Sequence, residues 1–230
     1  NMEAIHEIAK KNNLKVIEDA AQAIGSKINS IRPGALSEVA TFSTHPLKIL
    51  NAVGDGGFLV TNNEEVYEKA KKYRNHGMIG RDKYEFFGVN SRMDSLNAAV
   101  IRFRLKKVDE VILNRQKNIN FFREKIIAKE FKIPDCDKNQ FNSFTMFVCQ
   151  AERRDELQKY LVDNGIQSLI YYGTPLHLQE ASKILNYKVG DFSNAEKLCD
   201  KVISIPFHQY LKDDEKNYMA DKINNFYSKN

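Results

Sequence analysis

Residues 40–57 read ATFSTHPLKILNAVGDGG: a short β-prone run ending at Thr44, a single lysine, Lys48, and then a cluster of glycines. A lysine placed between an apolar strand and a tight glycine turn is held near backbone, the setting in which an amine becomes a nucleophile toward a carbonyl. Taken alone, Lys48 is one of 35 lysines and arginines, and a solvated loop lysine is the plainer reading of any one of them. Its neighbours in the chain change that reading.

On the N-terminal side, residues 2–12 (MEAIHEIAKKN) carry the i, i+3 spacing of an amphipathic helix that Asn13 ends. Leu14 to Ile17 is a short β-prone run, followed by Glu18, Asp19 and a string of small residues. A helix followed by a buried strand is half of a βαβ unit, and such sheets bind ligands beyond the carboxyl ends of their strands. Asp19 sits at such an end. It reads equally as a helix N-cap or a turn residue, and Gln22, three residues on, would complete a capping box. GSKINSIRPG (25–34) is a hairpin or loop, and GGFLVT (56–61) is a second β-prone segment after the lysine loop.

On the C-terminal side, residues 63–73 form a charged helix, and RNHGMIGRDKYEFFGVN (74–90) is a glycine-bearing loop long enough to have a role of its own. Ser91 and Asp94 open a helical pattern running to about Ala128, longer than an ordinary helix, so a bend is expected near Leu113, where one domain hands over to the next. The remainder alternates short elements: strands at Phe144–Gln150, Ile166–Tyr171 and Val202–Ile205, helices at Arg153–Asn164, Leu178–Leu185, Ser193–Lys201 and Asp213–Tyr227. The expected organisation is an α/β domain over residues 1–113 and a small α+β domain over 114–230.

Composition narrows the function. Hydrophobic content of 42% and charged content of 28% suit a soluble globular protein. The net charge of +5 is mild and the lysines alternate with acids, as in ERRDELQKY, which describes solvated helix faces and argues against a nucleic-acid partner. No run approaches the ~18 apolar residues of a membrane span. Cys136, Cys149 and Cys199 are odd in number and lack CxxC pairing, so neither a disulfide framework nor a zinc site is expected, and reduced cysteines in the cytoplasm are. The chain opens directly into a helical pattern at Asn1, as though partway into a domain.

Pyridoxal phosphate asks a protein for an amine, a carboxylate to keep its pyridine nitrogen protonated, and hydroxyl or amide donors for its phosphate. Asp19, Gln22, Ser43 and Lys48 supply those groups in order. With them, EDAAQAIG (18–25), FSTHPLKILNAVGDGG (42–57), RNHG (74–77), GVNSRMDSLNAA (88–99), PLHLQ (175–179), GDFSNAEKLCDKVISIP (190–206) and FHQYL (207–211) resemble the DegT/StrS sugar aminotransferases of fold type I. The resemblance covers essentially the whole chain.

It implies the C-terminal part of a fold-type-I large domain, with a mixed, mainly parallel sheet, plus a small α+β domain. It further implies that Lys48 carries the cofactor as a Schiff base and shuttles a proton, that Asp19 pairs with the pyridinium nitrogen, that Gln22 contacts the ring hydroxyl and Ser43 the phosphate, and that Asn90 reaches a partner subunit's phosphate in a homodimer. His45, His76 and His177 are substrate-side candidates or plain structural histidines. The implied reaction moves an amino group, typically from glutamate, onto a nucleotide-linked keto sugar. Some relatives carry histidine in place of the lysine and perform pyridoxamine-dependent dehydration; Lys48 favours the transaminase. The resemblance also implies that roughly the N-terminal third of the family pattern, with a phosphate-gripping helix N-terminus and a ring-covering aromatic, lies ahead of the position matching Asn1. The alternative is therefore a catalytically incompetent fragment, folded through partner contacts and acting at most as an interaction module. A generic nucleotide-binding domain is disfavoured, because no GxGxxG or Walker loop follows any strand.

Overall fold

The computed structural model describes residues 1–228. In chain order the elements are α1 (Met2–Lys11), β1 (Ile17–Asp19), β2 (Lys27–Ile28), β3 (Val39–Ser43), β4 (Gly57–Val60), α2 (Glu64–Tyr73), β5 (Met78–Gly80), β6 (Lys83–Tyr84), α3 (Ser95–Leu105), α4 (Val108–Lys125), β7 (Phe131–Lys132), β8 (Gln140–Phe141), β9 (Val148–Ala151), α5 (Arg154–Asp163), α6 (Ser193–Cys199), β10 (Val202–Ser204) and α7 (Asp213–Ser228). Two 3-10 helices, Leu176–Leu178 and Glu180–Leu185, lie between α5 and α6. The described residues divide into two compact units, residues 1–112 with 136–145, and residues 113–135 with 146–228.

In the first unit, local chemistry sets the helix ends. The Asn1 side chain accepts the Ala4 N–H at 3.1 Å, and Lys10 and Lys11 occupy the last turn of α1, where cations offset the exposed carbonyls. Asn63 caps α2 by accepting from Glu65 and Val66, and Asp94 caps α3 by accepting from Leu96 at 2.8 Å. The central sheet has the order β1-β3-β4 and is mixed: β1 runs parallel to β3, and β4 antiparallel to β3. Leu50, Ala52 and Ile101 form a buried cluster against Ile24, Met93 and Val108. Residues 136–145 return to this unit because β8 pairs with β2 and the Ser26 and Ser143 hydroxyls lie 3.0 Å apart.

The second unit is built on an antiparallel sheet, β10-β9-β7. Phe122 stacks on Phe147, which in turn meets Phe207 at a tilt, with ring centroids 5.4 and 5.0 Å apart. Leu157 and Leu161 of α5, Ile203 of β10 and Ile223 of α7 complete a buried core.

Several expectations shift. The first strand forms at Ile17–Asp19, its three residues matched to Val39–Thr41, while Leu14 stays exposed after the Asn13 turn, whose φ is +52°. The long helix breaks at Lys106–Lys107 and runs unbroken through Leu113: the Lys107 N–H turns back to the Arg104 carbonyl, an i to i−3 bond that tightens the chain, and a new α-helical ladder starts from Val108. Ile166–Tyr171 is not a strand. It makes one antiparallel bridge, Leu169 to Ser204, before Tyr172 turns at φ +63°. The 144–150 strand begins only at Val148, where its pairing with β10 starts, and Phe144 lies outside the extended region at φ +52°.

Candidate active site

The parallel pairing of β1 with β3 fixes the geometry of the site. Asp19 is the register partner of Thr41, and alternation along a strand puts residues two apart on one face. Asp19, Thr41 and Ser43 therefore share a face at the carboxyl ends of the two strands, and Gly57 of β4 lies beside Ser43 on that face. Glu18, Ala40 and Phe42 occupy the opposite face, where Phe42 stacks on Phe58 at 5.0 Å.

Each candidate sits in a defined setting. One Asp19 carboxylate oxygen accepts the Ala21 N–H at 3.0 Å, so Asp19 does shape a turn, while the side chain stays exposed. No helix follows it, which removes the N-cap and capping-box readings of Asp19 and Gln22. Gln22 has an exposed side chain, and its backbone carbonyl accepts the Thr145 hydroxyl at 2.9 Å. The Ser43 hydroxyl accepts the His45 N–H at 3.2 Å.

Lys48 is half-buried, with its N–H donated to the His45 carbonyl at 2.8 Å, and it is followed by buried Ile49 and Leu50. The loop that holds it closes on itself: the Thr44 N–H donates to Gly56 and the Ala52 N–H donates back to Thr44. Asp19, Gln22, Ser43 and the Lys48 loop thus all follow the same strand ends.

Asn90 lies elsewhere in the unit, at the base of the β5–β6 hairpin, bridged to Asn75, with its side-chain oxygen accepting from Arg92 Nε at 3.0 Å. That base is tightly closed, since β-carbons at Gly77 and Gly88 would collide with the backbone of Phe86 and of Gly77 and Tyr73. His45 Nδ1 accepts the Leu47 N–H and its other nitrogen faces Asp55 at 3.8 Å. His76 adopts φ +62° in the turn that leads into β5. His177 belongs to the second unit, hydrogen-bonded to Glu196 at 2.9 Å and packed on Phe192, which describes a structural histidine.

Two further residues act on this region and stand out only in three dimensions. Glu18 accepts the Gly34 N–H and the Ser37 hydroxyl, bracing β1 from the face opposite Asp19. Arg104 of α3 donates to the Asn51 backbone carbonyl, to the Asn51 side-chain oxygen and to the Ala52 carbonyl, from the far end of the Lys48 loop. Their only sequence signal is a charged residue beside a strand end and another on a helix, which is too common to single out. Among the described residues no cluster of histidine, cysteine or carboxylate groups could hold a metal ion, and no helix is long and apolar enough to cross a membrane.

Comparison with known proteins gives a consistent picture. The DegT/DnrJ/EryC1/StrS aminotransferase family model matches residues 1–224. The chain is 37% identical over 230 residues to a pleiotropic regulatory protein of Geobacillus stearothermophilus, covering 99% of this chain and 62% of that protein. It is 36% identical to the dTDP-3-amino-3,6-dideoxy-alpha-D-galactopyranose transaminase of Aneurinibacillus thermoaerophilus, covering 98% and 62%. Among solved structures, S. venezuelae DesV in complex with a ketimine intermediate superposes with a TM-score of 0.94 at 32% identity, covering 98% of this chain and 61% of that one. The chain spans less than two thirds of the length of each of these proteins.

Proposed function

The chain belongs to the DegT/DnrJ/EryC1/StrS aminotransferase family, and from that premise we propose that it works in a pyridoxal-phosphate-dependent transfer of an amino group, from glutamate, onto a nucleotide-linked keto sugar. The observation that carries this reading is the shared face of Asp19 and Ser43 at adjacent parallel strand ends, with Lys48 in the loop that leaves the second strand. A crevice beyond the carboxyl ends of such strands is where α/β sheets bind their ligands.

The donor set fits the cofactor: one amine, one carboxylate, one amide and one hydroxyl, with glycine and no side chain beside the hydroxyl at Gly57. Pyridoxal phosphate, when bound, supplies an electron sink for a carbanion next to nitrogen. Lys48 would anchor it through its amine and later carry the proton between carbon atoms. Asp19 would hold a proton on the pyridine nitrogen. Gln22 would orient the ring hydroxyl, and the Ser43 hydroxyl would donate to the phosphate. Asn90 would donate to the phosphate of a partner subunit in a homodimer. The proposal includes a cytoplasmic setting, in keeping with Cys136, Cys149 and Cys199 standing outside any disulfide.

Trapping tests the reading directly. The chain is incubated with pyridoxal phosphate, reduced with borohydride and mapped by peptide mass. Label concentrated on Lys48, and lost in Lys48→Ala, supports it. Label spread over surface lysines overturns it and favours an incompetent fragment.

A further inference from the structure

The Lys48 loop is tied down by a side-chain relay that joins it to α3. Arg104 Nη1 donates to the Asn51 backbone carbonyl at 2.7 Å and to the Asn51 side-chain oxygen at 2.8 Å, with the Ala52 carbonyl a more distant third acceptor at 3.3 Å. With its oxygen committed to Arg104, the Asn51 amide must present its NH2 the other way, and it donates to the Pro46 carbonyl at 2.8 Å. The Pro46–Asn51 contact spans the segment that contains Lys48, so the relay closes an arch with the lysine inside it. Arg104 itself rides on α3, whose Ile101 packs in the same buried cluster as Leu50 and Ala52. The helix thus grips the loop twice, through apolar contact and through a charged hydrogen bond, and hydrogen bonds to charged groups are the stronger kind.

We propose that Arg104 and Asn51 are positioning residues that fix the backbone of the arch carrying Lys48, and so set where its amine stands relative to the β1 and β3 strand ends. The inference rests on the reading of Lys48 as the cofactor lysine for its purpose, but not for its geometry. Asn51 is suited to the role because it alone in the loop offers an acceptor to Arg104 and a donor to Pro46 from one side chain. Aspartate at position 51 would keep the first contact and lose the second. Lysine at position 104 would keep one charged donor.

Amide hydrogen exchange of the whole chain decides the proposal. In Arg104→Gln and Asn51→Asp, the Lys48 and Ala52 amides should exchange about tenfold faster or more, as loss of a charged or interlocked hydrogen bond implies, and Arg104→Lys should recover most of the protection. Asn51→Asp should do so with the melting transition unchanged, which separates loosening of the arch from general unfolding. Unchanged protection at both amides in Asn51→Asp overturns the relay. Borohydride trapping on the same variants reads the purpose: the share of label on Lys48 should fall in Arg104→Gln and recover in Arg104→Lys. If the unsubstituted chain shows no preference for Lys48 while exchange still responds, the brace stands and the cofactor reading falls.

Discussion

Gly57 pairs with Ser43 across β3 and β4, and a β-carbon on Gly57 would stand 2.6 Å from the carbonyl oxygen of Phe42. That oxygen is backbone in a paired strand and cannot swing aside, so Gly57→Ala forces the two strands apart where the Lys48 loop begins. Overpacking of this kind costs ~1–3 kcal/mol. The urea midpoint of Gly57→Ala should drop accordingly, with the dependence on urea unchanged; an unshifted midpoint would show that the strands part freely.

Glu18 and Asp19 are adjacent in sequence and opposite in task. Glu18 accepts from Gly34 N–H at 3.0 Å and from the Ser37 hydroxyl, and Ser37, itself buried, lies 3.2 Å from His6 of α1. Glu18→Ala strands the buried Gly34 N–H and leaves the Ser37 hydroxyl only His6 to turn to, and an unsatisfied buried donor costs ~1–3 kcal/mol. Glu18→Gln retains an acceptor and should lose less. The prediction is a ranked loss of stability, wild type above Gln above Ala, read by chemical denaturation.

Much of this molecule is legible in its sequence where the signal is local. The α1, α2 and α5 helices lie close to where their periodicity put them, and Gly165 ends α5 as read from the sequence, while the caps by Asn1 and Asn63 become visible only in the structure. Strand ends also read well around Lys48, since β3 is an apolar run and Gly57 opens β4. The rest depends on partners far away in the chain. Ile166–Tyr171 has strand composition but gains only one bridge, to Ser204. The break at Lys106–Lys107 has neither proline nor glycine to announce it. Residues 136–145 join the first unit through β2, 112 residues earlier at Ile28 to Gln140 in the paired register, and no pattern in a polar loop foretells that. For the site, residue types and order pointed to Asp19, Gln22, Ser43 and Lys48, whereas Glu18 and Arg104 act through contacts that have no motif.

Glu196 gives the second unit an acid-sensitive joint. Its carboxylate is held below the ordinary value of 4.5, chiefly by the Gly190 backbone N–H, against an opposing push from burial, with His177 and the Phe192 N–H adding to the downward shift. A carboxylate whose value is lower in the folded state stabilises that state fully above its unfolded value, and the contribution fades as pH falls through the folded one. Protection of the Gly190 amide should therefore hold above about pH 4.5 and fade progressively as pH falls further. Glu196→Gln should flatten that acid limb and lower protection at neutral pH, as followed by amide exchange across residues 188–196.

Cys149 sits in the middle strand of the second unit, 1% exposed, and burial pushes its thiol well above the usual range. The thiolate is the reactive form, so a buried thiol of this kind is inert until the sheet opens. Iodoacetamide with peptide mapping should label half-buried Cys136 and Cys199 first, and Cys149 only through the urea transition of this unit. Early labelling of Cys149 would mean that β9 opens without global unfolding.

Asp19→Asn separates the two things Asp19 does. An asparagine side-chain oxygen can still accept the Ala21 N–H that Asp19 accepts at 3.0 Å, so the turn after β1 survives. The exposed position carries little packing, and substitutions there usually stay within ~0.5 kcal/mol of the parent. What asparagine cannot supply is the negative charge that would keep a pyridine nitrogen protonated, since a nearby opposite charge favours the protonated, charged form. The expected outcome is an unchanged urea midpoint together with weakened pyridoxal phosphate retention and an altered visible absorbance of whatever cofactor remains. Were both stability and cofactor retention to match the parent chain, Asp19 would be a turn residue and nothing more, and the proposed cofactor site would lose its carboxylate.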